Sequence, residues 1–83
     1  MAQAVTDNEQ RNRFELSVDG QIVFAEYSRA GKKLSINHVE APVALRGTGA
    51  AGRLMEGLVA LAKERGDEVV PVCSYAVAWM KRH

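Results

Sequence analysis

Arg46-Gly47-Thr48-Gly49 runs directly into Ala50-Ala51-Gly52, and this stretch combines the features that hold a phosphate. A guanidinium at Arg46 offers a charge-assisted contact, glycine lets the backbone come close to an anion, and small residues keep bulk off the first turn of a following helix. Unpaired N–H groups at a helix start and the helix dipole add to the same attraction. The competing reading is an ordinary glycine-capped turn. Two kinds of nucleotide site are excluded. No Lys-Ser or Lys-Thr pair follows the last glycine, as a Walker A loop needs, and no glycine-rich turn is followed by a ribose-binding acid at the dinucleotide-fold spacing.

Three further groups have reactive side chains. Cys73 follows an apolar run and precedes a helix start, where a helix dipole can make a thiol nucleophilic; equally, a lone cysteine in a small protein serves as a compact buried side chain. His38 and Glu40 are two residues apart, so on a strand they share a face and can act as base and orienter, or else decorate an exposed face. A metal site finds no support, because one cysteine and the distant His38 and His83 do not make a ligand set.

The elements that must position these groups follow from periodicity. Phe14 to Val18 alternates apolar with polar, Ile22 to Tyr27 is rich in strand formers, and Asp19-Gly20 between them predicts a tight antiparallel hairpin. Ala30-Gly31-Lys32 predicts a second turn, after which Leu34, Ile36 and His38 alternate with Ser35, Asn37 and Val39 as a third strand of a meander. Leu54, Leu58, Leu61 and Ala62 recur at helical spacing, and Gly66 suits a left-handed cap, so a helix is predicted from about Gly49 to Arg65. Val69 to Cys73 reads as a short strand with Pro71 at an edge or bulge, and Ser74 as the N-cap of a last helix through Trp79. A strand-helix-strand unit in one sheet places its strands parallel. The fold class is therefore α/β (α+β): an N-terminal antiparallel meander in a mixed sheet, a main helix, a further strand and a C-terminal helix. Met1 to Asn12, polar and aperiodic, is expected to be partly disordered.

With 83 residues, 47% hydrophobic and 25% charged, the chain has the size of one globular domain, residues 1–83. Eleven basic against ten acidic side chains leave a net charge of +1, so no bulk field draws nucleic acid or a membrane, and an anion site has to be local. A single cysteine forms no internal disulfide, and neither a signal peptide nor a transmembrane run is present, so a cytoplasmic protein is the expectation. Lys81-Arg82-His83 reads as a solvated helix end favoured by the dipole.

Arg46, Gly49 and Ala51 match the three specified positions of the R/Q-x-x-G-x-G/A motif, and the chain resembles the GCN5-related N-acetyltransferases (GNATs) that carry it. Ile36-Asn37-His38-Val39-Glu40-Ala41-Pro42, Leu45-Arg46-Gly47-Thr48-Gly49, Val70-Pro71-Val72-Cys73 and Trp79-Met80-Lys81-Arg82-His83 are similar, in that order, to the small single-domain branch of that superfamily. Members of this branch often have proline where Ser74 stands and a bulkier aliphatic residue where Ala50 stands. The resemblance implies a minimal GNAT-like fold in which the strands near Ile36–Glu40 and Val70–Cys73 splay apart. It implies acetyl-CoA as cosubstrate, with its pantetheine arm in the gap and its pyrophosphate on Arg46, Gly47, Thr48, Gly49, Ala50 and Ala51. It also implies that N–H groups near Val39 and Ala41 polarise the thioester carbonyl, that Cys73 belongs to the acetyl site, and that Tyr75 protonates the leaving thiolate. For Tyr75, packing against its i+4 neighbour Trp79 is the alternative.

The function so implied is an N-acetyltransferase moving acetyl from acetyl-CoA to a primary amine, by direct attack in a ternary complex. The hairpin at Asp19-Gly20 leaves no length for the N-terminal helices that build the acceptor pocket in larger GNATs. An open acceptor site suits a flexible or macromolecular amine such as a protein lysine. The alternative is a non-catalytic acetyl-CoA or CoA-binding module. The residues set no oligomeric state.

Overall fold

The computed structural model describes residues 5–83. Five strands form one sheet in the order β1-β2-β3-β4-β5: β1 (Thr6–Asn8), β2 (Arg13–Val18), β3 (Gln21–Ala30), β4 (Lys33–Glu40) and β5 (Glu68–Pro71). A 3₁₀ turn, Val43–Leu45, and helix α1, Ala50–Arg65, link β4 to β5, and helix α2, Ser74–Arg82, follows. The first four strands are antiparallel and β5 runs parallel to β4, giving the mixed sheet expected. Asp19 and Gly20 both have positive φ, 50° and 76°, the geometry that lets a two-residue turn follow the twist of its strands.

Alternation along β2 and β3 sends Phe14, Leu16, Val23 and Ala25 to one face, where they meet Leu54, Met55, Leu58 and Ala62 of α1 in the core. Leu61, expected on the same stripe, is only partly buried. Gly66 closes α1 at φ 75°, its N–H donating to the carbonyls of Ala62 and Lys63.

Four expectations are corrected. Residues 6–8, within the segment expected to be partly disordered, form β1, where the Asp7 carboxylate accepts from the Tyr27 hydroxyl at 2.6 Å and from the Arg65 guanidinium at 2.7 Å. The disorder expected for residues 1–4 lies outside the described residues. The last strand stops at Pro71 instead of Cys73, since the N–H groups of Val72 and Cys73 both turn to the Ile36 carbonyl, at 3.0 and 3.1 Å. Cys73 caps α2 in place of Ser74, its Sγ accepting from the Ala76 N–H at 3.3 Å, and the helix runs past Trp79 to Arg82. Finally, β4 does not alternate throughout. Tyr27 pairs with Ile36 but Glu26 pairs with His38, so Asn37 is an extra residue in a β-bulge.

Candidate functional site

The bulge at Asn37 sets the two faces of the site. Before it, Leu34 and Ile36 are fully buried against the core; after it, Val39, paired with the buried Ala25, takes up the core-facing position. His38 lies opposite Glu26 and Glu40 opposite Phe24, on the sheet face turned away from α1. There the His38 and Glu40 side chains hydrogen-bond at 3.0 Å, both about half exposed, and the His38 ring lies 6.5 Å from that of Phe24. On this same face Arg13 donates to Glu15 at 2.6 Å, and that hydrogen bond lowers the Glu15 pKa against the opposing effect of burial.

Just past the bulge, β4 and β5 part. Their pairing covers Lys33–Ile36 against Glu68–Pro71 and ends on the Ile36 carbonyl. Proline at position 71 brings no N–H, and the doubled bond to Ile36 leads the chain directly into α2.

A cavity of about 420 Å³ opens at the end of β4, lined by Val39, Ala41, Leu45, Arg46, Gly47, Gly49, Ala50, Ala51, Gly52 and Tyr75. One wall is apolar, from Val39 and Ala41 to Leu45 and Ala50. The other end is the loop leading into α1, where Gly47 and Gly49 have φ of 80° and 83°, a conformation natural only to glycine. The N–H groups of Gly47, Gly49, Ala51 and Gly52 have no hydrogen-bond partner among the described residues. α1 has no acidic residue in its first turn to satisfy them. Such a row of free donors at a helix start presents partial positive charge, the chemistry that attracts an anion.

Two loop side chains brace this geometry. Thr48 donates its hydroxyl to the Leu45 carbonyl at 2.6 Å and accepts the Ala50 N–H at 3.3 Å, so it holds the loop from inside and does not line the cavity. Arg46 donates Nε to the Ala41 carbonyl at 3.2 Å, tying the loop to the end of β4 while its guanidinium stays exposed at the rim. A diphosphate joined to an extended amide-bearing arm fits this arrangement, with free amides at one end and an apolar channel toward the fork.

The expected site residues thus separate. Val39, Ala41, Arg46, Gly47, Gly49, Ala50, Ala51 and Tyr75 are brought together around the cavity. His38 and Glu40 keep their shared face but lie beyond the fork, and Cys73 sits at the base of the fork with its sulfur engaged as the α2 cap. The Tyr75 ring reaches the first turn of α1: a methyl group placed on Gly52 would lie 3.9 Å from its hydroxyl. Leu45 and Gly52 complete the lining; Leu45 was not expected there, and Gly52 was expected only to keep bulk off the first turn of the helix. The absence of a side chain at Gly52 was the available signal for the second, whereas Leu45 becomes a wall only through the 3₁₀ turn.

Among the described residues no group of three or more His, Cys, Asp or Glu side chains is placed to hold a metal ion, and no helix is long and apolar enough to cross a membrane. A family model described as GCN5-related N-acetyl-transferase matches residues 13–83. No curated protein matches the chain.

Proposed function

The chain belongs to the GCN5-related N-acetyltransferase family, and from that premise we propose that it transfers acetyl from acetyl-CoA to a primary amine, most fittingly a lysine side chain of a protein. The observation that carries this reading is a single cavity that joins an apolar wall at the end of β4, past the point where β4 and β5 part, to a loop of unpartnered amides at the start of α1. The diphosphate rests on the N–H groups of Gly47, Gly49, Ala51 and Gly52 with Arg46 at the rim. The pantetheine arm runs along Val39 and Ala41 toward the Asn37 bulge.

The amine enters from the sheet face turned away from α1. That face is open around His38, which with Glu40 is placed to take a proton from the incoming ammonium. The neutral amine then attacks the thioester carbonyl carbon. A C–N bond forms, the C–S bond breaks, and the proton lost by the nitrogen balances the thiolate of free CoA. Backbone N–H groups near Val39 and Ala41 polarise the carbonyl oxygen. With no enclosing wall on the acceptor side, a side chain carried by a large partner suits the opening better than a small amine that needs a pocket.

A second reading, a non-catalytic acyl-CoA-binding module, rests on a specific observation: among the described residues no carboxylate, histidine or cysteine lines the cavity. Calorimetric titration with acetyl-CoA, followed by thiol-release assays on lysine peptides and folded protein acceptors, tests both. Saturable binding with acceptor-dependent thiol release supports transfer. Binding with no release over a broad acceptor set supports the module, and no binding overturns both.

A further inference from the structure

α2 lays two polar groups over the start of α1. A methyl group on Gly52 would lie 3.7 Å from Trp79 Nε1 and 3.9 Å from the Tyr75 hydroxyl, so the missing side chain leaves a small cradle with both groups on its rim. Trp79 is buried, only 8% exposed, with its ring stacked on His83 at 4.2 Å and 18°. Its one polar atom is nevertheless unpartnered among the described residues, and it is not sealed from solvent, since no fully buried side-chain nitrogen or oxygen there lacks a partner. The indole nitrogen therefore keeps an open side on which it can donate. Here it is held against a helix start whose own Ala51 and Gly52 N–H groups are free, and everything on the rim can donate.

We infer that Trp79 and Tyr75 are anion-binding residues: the Trp79 Nε1–H and the Tyr75 hydroxyl converge with the first-turn amides of α1 on one phosphate group, so that α2 forms the second wall of the diphosphate site. The inference rests on the proposed acetyl-CoA reading and gives Tyr75 a binding task at the phosphate end of the cavity. It also gives a reason for Gly52, a costly residue in a helix, since a methyl group there would crowd the approach of an anion to both donors.

The chain has one tryptophan and therefore one indole N–H signal. Proton–nitrogen correlation spectra of the ¹⁵N-labelled protein, titrated with CoA and separately with inorganic pyrophosphate, should move that signal downfield together with the Gly47, Gly49, Ala51 and Gly52 amides. Trp79→Phe keeps a ring over His83 but removes the donor, and should weaken CoA binding about tenfold, the value of one charge-assisted hydrogen bond. Gly52→Ala fills the cradle at ordinary van der Waals distances and favours the helix, so it should keep the fold and lose a similar factor of affinity. Loop amides that shift while the indole stays still, or either variant binding CoA like the wild type, overturn the inference and leave the loop assignment standing. No shift anywhere overturns both.

Discussion

The N–H of Cys73 donates to the carbonyl of Ile36 at 3.1 Å, and that bond marks the point where β4 and β5 separate. Ile36 already accepts from Val72 at 3.0 Å, so one carbonyl ends the ladder for both strands. The next residue on β4, Asn37, is the bulge. The fork therefore has two causes that act together, a strand that leaves for α2 and a strand that kinks away from it.

Deleting Asn37 separates these causes. With the extra residue gone, His38 still faces outward and Val39 inward, so every side chain keeps its face while the kink disappears. The hydrogen bond from Asn37 Nδ2 to Ser28 Oγ is exposed and contributes little. The deletion should leave the far-ultraviolet circular dichroism spectrum native and weaken acetyl-CoA binding at least tenfold by calorimetry. Wild-type affinity would show that the bulge does not shape the channel.

Arg46 holds the loop to the end of β4 through the Ala41 carbonyl and stands at the rim of the free amides. Arg46→Glu removes that tie and sets a negative charge beside the proposed diphosphate, so acetyl-CoA affinity should fall by about two orders of magnitude. Arg46→Gln, which keeps a donor without the charge, should fall between the two. The site is open at this edge, and raising the salt concentration should narrow the gap between all three proteins. Equal affinity for wild type and Arg46→Glu refutes the loop as the phosphate site.

Cys73 serves α2 as N-cap through a thiol, a weak acceptor. Cys73→Ala should cost about 0.5 kcal/mol, the low end for a lost cap, while Cys73→Ser supplies a stronger acceptor and should be at least as stable as the wild type. Thermal melts read this directly. Transfer rates read the other possibility: if the sulfur only caps, the serine variant turns over like the wild type, and if the thiol reacts, both variants lose turnover alike. Intact mass after mixing with acetyl-CoA alone would then show an acetyl adduct that an amine acceptor removes.

The parts of this architecture that were legible beforehand are those written in local periodicity. Asp19-Gly20 demands a tight turn wherever it sits, the spacing of Leu54, Leu58 and Ala62 demands a helix, and Gly66 ends it. The glycine-shaped loop leading into α1 was readable for the same reason, because the positive φ of Gly47 and Gly49 is what glycine advertises. The bulge was not readable: nothing in Ile36-Asn37-His38 says that Glu26 will pair across to His38 and leave Asn37 out. So the shared face of His38 and Glu40 was correctly derived while its side of the sheet was not. Strand β1 was equally hidden, since Asp7 is held by Tyr27 and Arg65, partners 20 and 58 positions away.

Tyr27 gives the fold an alkaline limit. Burial, reinforced by the hydrogen bond to Asp7, raises its pKa from 10.0 to about 12. A group that holds its proton more tightly when folded contributes its full stability below the unfolded pKa and loses it as pH rises through the folded one. Stability should therefore fall between pH 10 and about 12. Tyr27→Phe removes that limb and, at neutral pH, costs about 1.5 to 3 kcal/mol for the lost bond to the Asp7 carboxylate. Chemical denaturation at stepped pH measures both, and an alkaline limb that persists in Tyr27→Phe would assign it elsewhere.

Gly57 looks replaceable and is not. In the middle of α1 a change to alanine ordinarily stabilises by about 1 kcal/mol. Here the new Cβ would lie 2.8 Å from the Cβ of Val5 and closer still to its Cγ2, so the chain leading into β1 has to move. That segment is anchored by Asp7 two residues on, and the displacement pulls against both its hydrogen bonds. Gly57→Ala should consequently destabilise the protein and raise amide exchange selectively in residues 6–8. Val5→Gly removes the obstructing side chain, so adding it to Gly57→Ala should recover stability relative to Gly57→Ala alone, even though Val5→Gly by itself destabilises. If Gly57→Ala instead raises the melting temperature in the Val5 background, the close approach of Val5 to α1 is not part of the folded state.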